Sequence, residues 1–179
     1  MLSNLGFYDA WLNQGVGHEK IFLKAVKTRL QDISIQDLNS RIADSPKARF
    51  YRLFSSFGFK GYLEQITITK FRTALSKLRL SSHKLAVETG RYTRPITPLD
   101  NRKCSICNIL EDEFHFLFEC RIYTDLRKQY LPKSLWKRCN IPNLINLMTN
   151  ESAKVNIRLS QYIYKAFKLR SEYISLFDQ

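Results

Sequence analysis

The chain has 179 residues, 44% hydrophobic and 25% charged, with twelve Phe, nine Tyr and two Trp; this is one domain's worth of sequence with enough aromatic surface for a core, which excludes global disorder. No stretch approaches the roughly 20 apolar residues of a transmembrane helix, and the N-terminal MLSNLGFYDAWLNQGVGHEK has neither the basic nor the apolar region of a secretory signal, so an intracellular, reducing compartment (nucleus or cytoplasm) is expected. With 29 Lys and Arg against 16 Asp and Glu, the net charge of +13 favours a polyanionic partner, nucleic acid first.

Helical patterns dominate in chain order. Gly15-Val-Gly17-His18 lacks the ending of a phosphate-binding loop and reads as a plain loop ahead of a helix. Ile21, Ala25, Val26 and Leu30 have helix spacing. Ser34 with Asp37 resembles a capping box that starts a second helix ahead of Leu38 and Ile42. Ser45-Pro46 opens another, running through Phe50, Leu53 and Phe54 until Gly58 and Gly61 break it.

Ile66–Leu80 is the clearest helix. Phe71, Ala74, Leu75 and Leu78 form one apolar stripe, flanked by Lys70 and Lys77 on one side and by Arg72 and Arg79 on the other. Leu85-Ala86-Val87 is the best strand candidate, and Pro95, Pro98 and Asp100-Asn101 mark a loop. Short helices follow at Tyr123–Tyr130 and Pro142–Met148. A long amphipathic helix over Ser152–Phe177 carries Val155, Leu159, Tyr162, Ile163, Ala166 and Phe167 on one face.

Three of the four cysteines and one of three histidines fall in the order C-x2-C-x7-H-x4-C at Cys104, Cys107, His115 and Cys120. A C-x2-C turn places two thiolates on one side of an ion, and a His and a Cys one short element later close a tetrahedron, the geometry of a structural zinc site. A disulfide is the rival reading, disfavoured by the reducing compartment. Cys139 is left over as a plain thiol. Residues 104–120 hold four acidic and no basic residues inside a basic chain. Phosphates would therefore meet the flanking segments, and the zinc element would act as a staple between them. Asp112 and Glu113 sit where a helix start favours negative charge.

The fold class expected is mostly α, a helical domain with a small embedded CCHC zinc-binding element. Its parts are a basic helical region 1–103, the zinc element 104–120 and a basic helical region 121–179, folding together as one cooperative domain. The candidate nucleic-acid contacts are Lys70, Arg72, Lys77, Arg79, Lys84, Arg91, Tyr92, Arg94, Arg121, Arg127 and Lys128, followed by Lys133, Lys137 and Arg138. A base would stack on Tyr92 beside Arg91 and Arg94; the competing reading packs Tyr92 in the core and leaves the charges solvated. His83 follows Ser81 and Ser82, but the sequence places no carboxylate to complete a catalytic triad, so His83 reads as a surface or loop residue.

The run from Lys70 through Ser81-Ser82-His83-Lys84-Leu85 to Glu88-Thr89-Gly90-Arg91-Tyr92, followed by Cys-x2-Cys and by Glu113-Phe114-His115-Phe116-Leu117-Phe118-Glu119-Cys120, resembles the C-terminal region of non-LTR (LINE-type) retrotransposon polyproteins. The match spans roughly residues 45–130. The resemblance implies that Cys104, Cys107, His115 and Cys120 hold Zn²⁺ and that the domain binds element RNA or target DNA. The alternative is an interaction module that docks the reverse transcriptase domains of the same element or a host partner. Reverse transcriptases hold two Mg²⁺ ions with an Asp-Asp pair, and this chain contains no Asp-Asp and no endonuclease motif. No catalytic activity is expected, and neither a membrane nor a small-molecule substrate is implied.

Overall fold

The protein is described by a computed structural model covering residues 3–137 and 139–175. Helices and turns build it, as the sequence periodicity requires. Among the described residues β-pairing is limited to one isolated bridge between Lys103 and Leu110. No described helix is long and apolar enough to cross a membrane. The chain divides into two units, Met1–Ser45 and Pro46–Gln179.

In the first unit a turn at Ser3–Leu5 leads to α1 (Tyr8–Leu12) and α2 (Glu19–Asp44). Gly17 adopts a left-handed φ of 62° at the entry to α2, a conformation that glycine takes without a Cβ penalty. The break expected at Ser34 does not occur. The Ser34 hydroxyl donates to the Leu30 carbonyl one turn back (2.8 Å), so it bonds within the helix instead of capping a new one. Asp37 pairs with Arg41 one turn on (3.0 Å). At 26 residues α2 is about 39 Å long.

The second unit opens with tight 3₁₀ turns at Pro46–Arg49 and Tyr51–Leu53 in place of the single helix expected. The segment is too short to sustain a helix alone, and its order comes from Phe50 and Phe54, both buried, with rings 5.0 Å apart edge to face. Next come α3 (Tyr62–Gln65) and α4 (Thr69–Arg79), then α5 (Ala86–Thr89) where a strand was expected. Leu85 and Val87 are buried as in a strand, but the Ala86 N–H donates to the Glu111 carboxylate (2.7 Å) and the Val87 N–H to the Glu111 carbonyl (3.1 Å). Those bonds satisfy the start of a helical turn and leave no ladder to extend.

Beyond the cysteine segment lie α6 (Thr124–Tyr130), α7 (Lys133–Trp136), α8 (Ile141–Thr149) and α9 (Ala153–Ser175). The Asn140 side chain caps α8 by accepting from the Asn143 N–H (2.8 Å). Arg138 and Phe177 lie outside the described residues.

α9 is the spine of this unit and packs against α4, α6 and α3. Its buried Leu159, Tyr162, Ile163 and Ala166 share one core with Leu75 and Leu78 of α4. Cys104, Phe116, Leu117 and Cys120 belong to the same core. The cysteine segment is therefore built into the domain, with no core of its own. The Tyr162 hydroxyl donates to the Phe116 carbonyl (2.9 Å), with the Leu117 carbonyl also in reach (3.2 Å). The Phe116 ring stacks on Phe167 at 4.5 Å.

Candidate metal centre and basic cleft

The C-x2-C segment forms a tight hairpin. The Glu111 N–H donates to the Arg102 carbonyl (2.9 Å), the Cys104 N–H to the Ile109 carbonyl (2.8 Å) and the Asn108 N–H to the Cys104 carbonyl (2.8 Å). The hairpin reverses at Asn108, whose φ of 56° is a left-handed conformation that asparagine tolerates. His115 and Cys120 come from a π-helical turn at His115–Glu119, in which the Cys120 N–H reaches the His115 carbonyl five residues back (2.8 Å). Asp112 caps that turn by accepting from the His115 N–H (2.8 Å).

The four ligand atoms of Cys104, Cys107, His115 and Cys120 all lie within 4.8 Å of one another. The Cys120 sulfur is 3.9 Å from both other sulfurs, and all four cysteines of the chain are free thiols, which rules out the disulfide reading. Sulfurs at about 2.3 Å from a tetrahedral ion would be about 3.8 Å apart, so the cluster fits a metal ion. His115 supplies an independent test. Its Nε2 is buried without a hydrogen-bond partner among the described residues, while its Nδ1 faces Glu119 Oε2 at 3.4 Å. A carboxylate on Nδ1 fixes the tautomer that leaves Nε2 free to ligate.

Burial, together with repulsion from the two neighbouring thiols, pushes the Cys120 thiol up to about 12. Burial also raises Cys107, but the Arg121 N–H and the adjacent sulfurs outweigh it and hold that thiol below its usual value. A bound cation supplies the charge that deprotonates such a set outright. Three cysteines and a histidine are the donor set of a closed structural metal site.

Residues around the cluster hold it to both flanks. The Arg121 guanidinium donates to the Ile106 carbonyl (2.7 Å), and Arg127 donates to the Cys120 carbonyl. Glu111 forms a two-pronged pair with Arg170 of α9, both contacts at 2.7 Å. Glu113 accepts from the Ser81 hydroxyl (2.9 Å) and from His83 Nε2 (3.0 Å). Burial alone would raise the Glu113 carboxyl, but these two donors hold it below its usual value. His83 is therefore no surface residue. Its side chain is 1% exposed and stacks on the Phe167 ring at 6.1 Å, inclined by 29°. Its Nδ1 accepts from the Leu85 N–H (3.4 Å), so neither nitrogen is left to take a proton from a serine.

The sequence-derived cationic residues divide into two groups. Arg79 is buried, sandwiched by the Phe54 and Tyr62 rings at 4.7 and 4.9 Å, and donates to the Met148 carbonyl. Arg127 is buried against Cys120. Both assignments as phosphate contacts are thereby corrected: desolvated guanidiniums committed to carbonyls are unavailable to a ligand. Arg72 donates to the Leu63 and Ile66 carbonyls, Arg91 to Glu88 and the Pro46 carbonyl, and Lys128 to Asp125. Arg94 is exposed.

Lys70, Lys77, Lys84 and Tyr92 instead line one cleft of about 700 Å³, together with Lys47, Lys168, Tyr164 and Phe167. Sequence reading missed Lys47, Lys168 and Tyr164. The signal for the last two was the four-residue spacing of Tyr164 and Lys168, which places both on one side of α9. Among the described residues the one acid lining the cleft, Glu88, is paired with Arg91 (3.0 Å). No model of a protein family, no curated protein and no solved structure matches the chain.

Proposed function

We propose that the protein is a non-catalytic, zinc-stabilised nucleic-acid-binding domain, as the resemblance to the tail of a non-LTR retrotransposon polyprotein implies. The carrying observation is the cleft: among the described residues five lysines and two tyrosines line it, and its one acid is paired with an arginine. Lys168 is paired with Glu172 (3.7 Å) and Lys70 lies over the Phe71 and Tyr164 rings, while Lys47, Lys77 and Lys84 have no carboxylate partner among the described residues, so their mutual repulsion would be relieved by a run of phosphates. Zinc is the ion that three thiolates and an imidazole in a closed tetrahedron select. It supplies a structural crosslink. Three thiolates and an imidazole around Zn²⁺ would sum to −1, which would favour phosphates in the cleft over the metal.

The interaction-module reading draws less support. Among the described residues of α9, Ile157 is the large apolar side chain left strongly exposed, at 37%. A single residue makes no docking patch.

Binding of the zinc-loaded chain to RNA and DNA across a salt series tests the proposal. The expected result is affinity that falls log-linearly with salt, with a slope that reports several phosphate contacts. Replacing Lys70, Lys77 and Lys84 together by Ala should lower that slope by about one per lysine. Absence of binding even at low salt would overturn the reading.

A further inference from the structure

The Ser81–Tyr92 run is tied down at nearly every residue that defines it. Ser81 and His83 hold Glu113, Leu85 and Val87 are buried, and Glu88 holds Arg91. Gly90 sits beneath Arg102, where an added Cβ would lie 2.7 Å from Arg102 Cγ. The run's one large aromatic side chain, Tyr92, is left 70% exposed.

The backbone that carries Tyr92 is fixed all the same. The Thr97 N–H donates to the Gly90 carbonyl (3.0 Å) and to the Thr93 hydroxyl oxygen (2.9 Å), which closes the loop on itself. Arg91 anchors the same loop to Glu88 and to the Pro46 carbonyl. A hydrogen-bonded loop thus holds a large aromatic ring mostly in water, where it adds little to the core.

The surroundings of that ring indicate its use. Tyr92 lines the same cleft as Lys47, Lys70, Lys77, Lys84 and Lys168. Among the described residues no carboxylate pairs with Lys47, Lys77 or Lys84. A cleft of this volume falls in the class that encloses a small molecule, about 300–1,000 Å³. Cations take phosphates, and an aromatic face takes a base, because every base has a π-face. A duplex offers the first but not the second, since its bases are stacked on one another inside the helix. An unpaired nucleotide of a nucleic acid presents both groups to one concave surface.

We infer that the cleft is a single-strand site, which seats an unpaired nucleotide with its base on Tyr92 and its flanking phosphates among the lysines. This rests on the nucleic-acid reading above and sharpens it from polyanion to single strand.

The test is fluorescence anisotropy of the full zinc-loaded chain with labelled oligo(U), oligo(dT) and a duplex of matched length at one salt concentration. Single strands should bind at least about tenfold more tightly than the duplex. Tyr92→Ala should weaken single-strand binding about tenfold, while Tyr92→Phe stays within about twofold of the parent and neither variant changes duplex binding. The side chain is exposed, so neither substitution threatens the fold. Equal affinity for strand and duplex with a silent Tyr92→Ala would overturn this inference and leave the nucleic-acid reading standing. Absence of binding to all three probes would overturn both.

Discussion

Glu111 and Glu113 stand two apart and each reaches distant chain: Glu111 grips Arg170 and accepts from the Ala86 N–H, and Glu113 holds Ser81 and His83. Charge counting marks both only as acids in an acidic block. Arg170 lies 59 residues away in sequence, and Ser81 and His83 about 30, pairings that no local pattern encodes. Removing one charge of a buried pair leaves the other without compensation. Glu111→Gln should therefore cost about 3 kcal/mol, read as a lowered urea midpoint. The candidate metal ligands were legible for the opposite reason: they are local, and their spacing already groups them. Cobalt loading should give one ion per chain with the intense visible bands of a tetrahedral thiolate site. Cys120→Ser should weaken that binding at least tenfold; unchanged affinity would show that Cys120 is no ligand.

At the scale of elements, helices that bury a periodic stripe were readable and short segments were not. The stripe on α4 places Leu75 and Leu78 in the core, and that on α9 does the same for Leu159, Tyr162, Ile163 and Ala166. Leu78→Ala should cost about 2–5 kcal/mol, because the close-packed interface with α9 cannot collapse into the cavity. Leu85-Ala86-Val87 shows the limit. Its apolar content matches a strand, yet the bonds its N–H groups donate to Glu111 make it a helical turn. Arg79 fails in the same way, since a cation that flanks an apolar stripe reads as solvated until Phe54 and Tyr62 close over it. Gly90 marks the close approach of Arg102, whose guanidinium donates to the Val87 and Thr97 carbonyls (2.8 and 2.9 Å). Gly90→Ala should displace that side chain and lower stability by about 1–3 kcal/mol in chemical denaturation.

Across the Pro46–Gln179 unit, the metal segment connects what the cleft needs. Glu113 fixes the Ser81–His83 wall, Glu111 fixes α9 through Arg170, and an ion held by the four clustered side chains would fix the segment that carries both acids. None of the ligands lines the cleft, so any effect of the metal on binding must pass through the fold. The most direct measurement is single-strand affinity of the same preparation before chelation, after it and after zinc is restored. Chelation should lower affinity at least tenfold, with loss of amide exchange protection at residues 102–120, and zinc should restore both. Chelated protein that binds oligonucleotide as tightly as the loaded form would contradict the account, separating the metal centre from the cleft it is held to assemble.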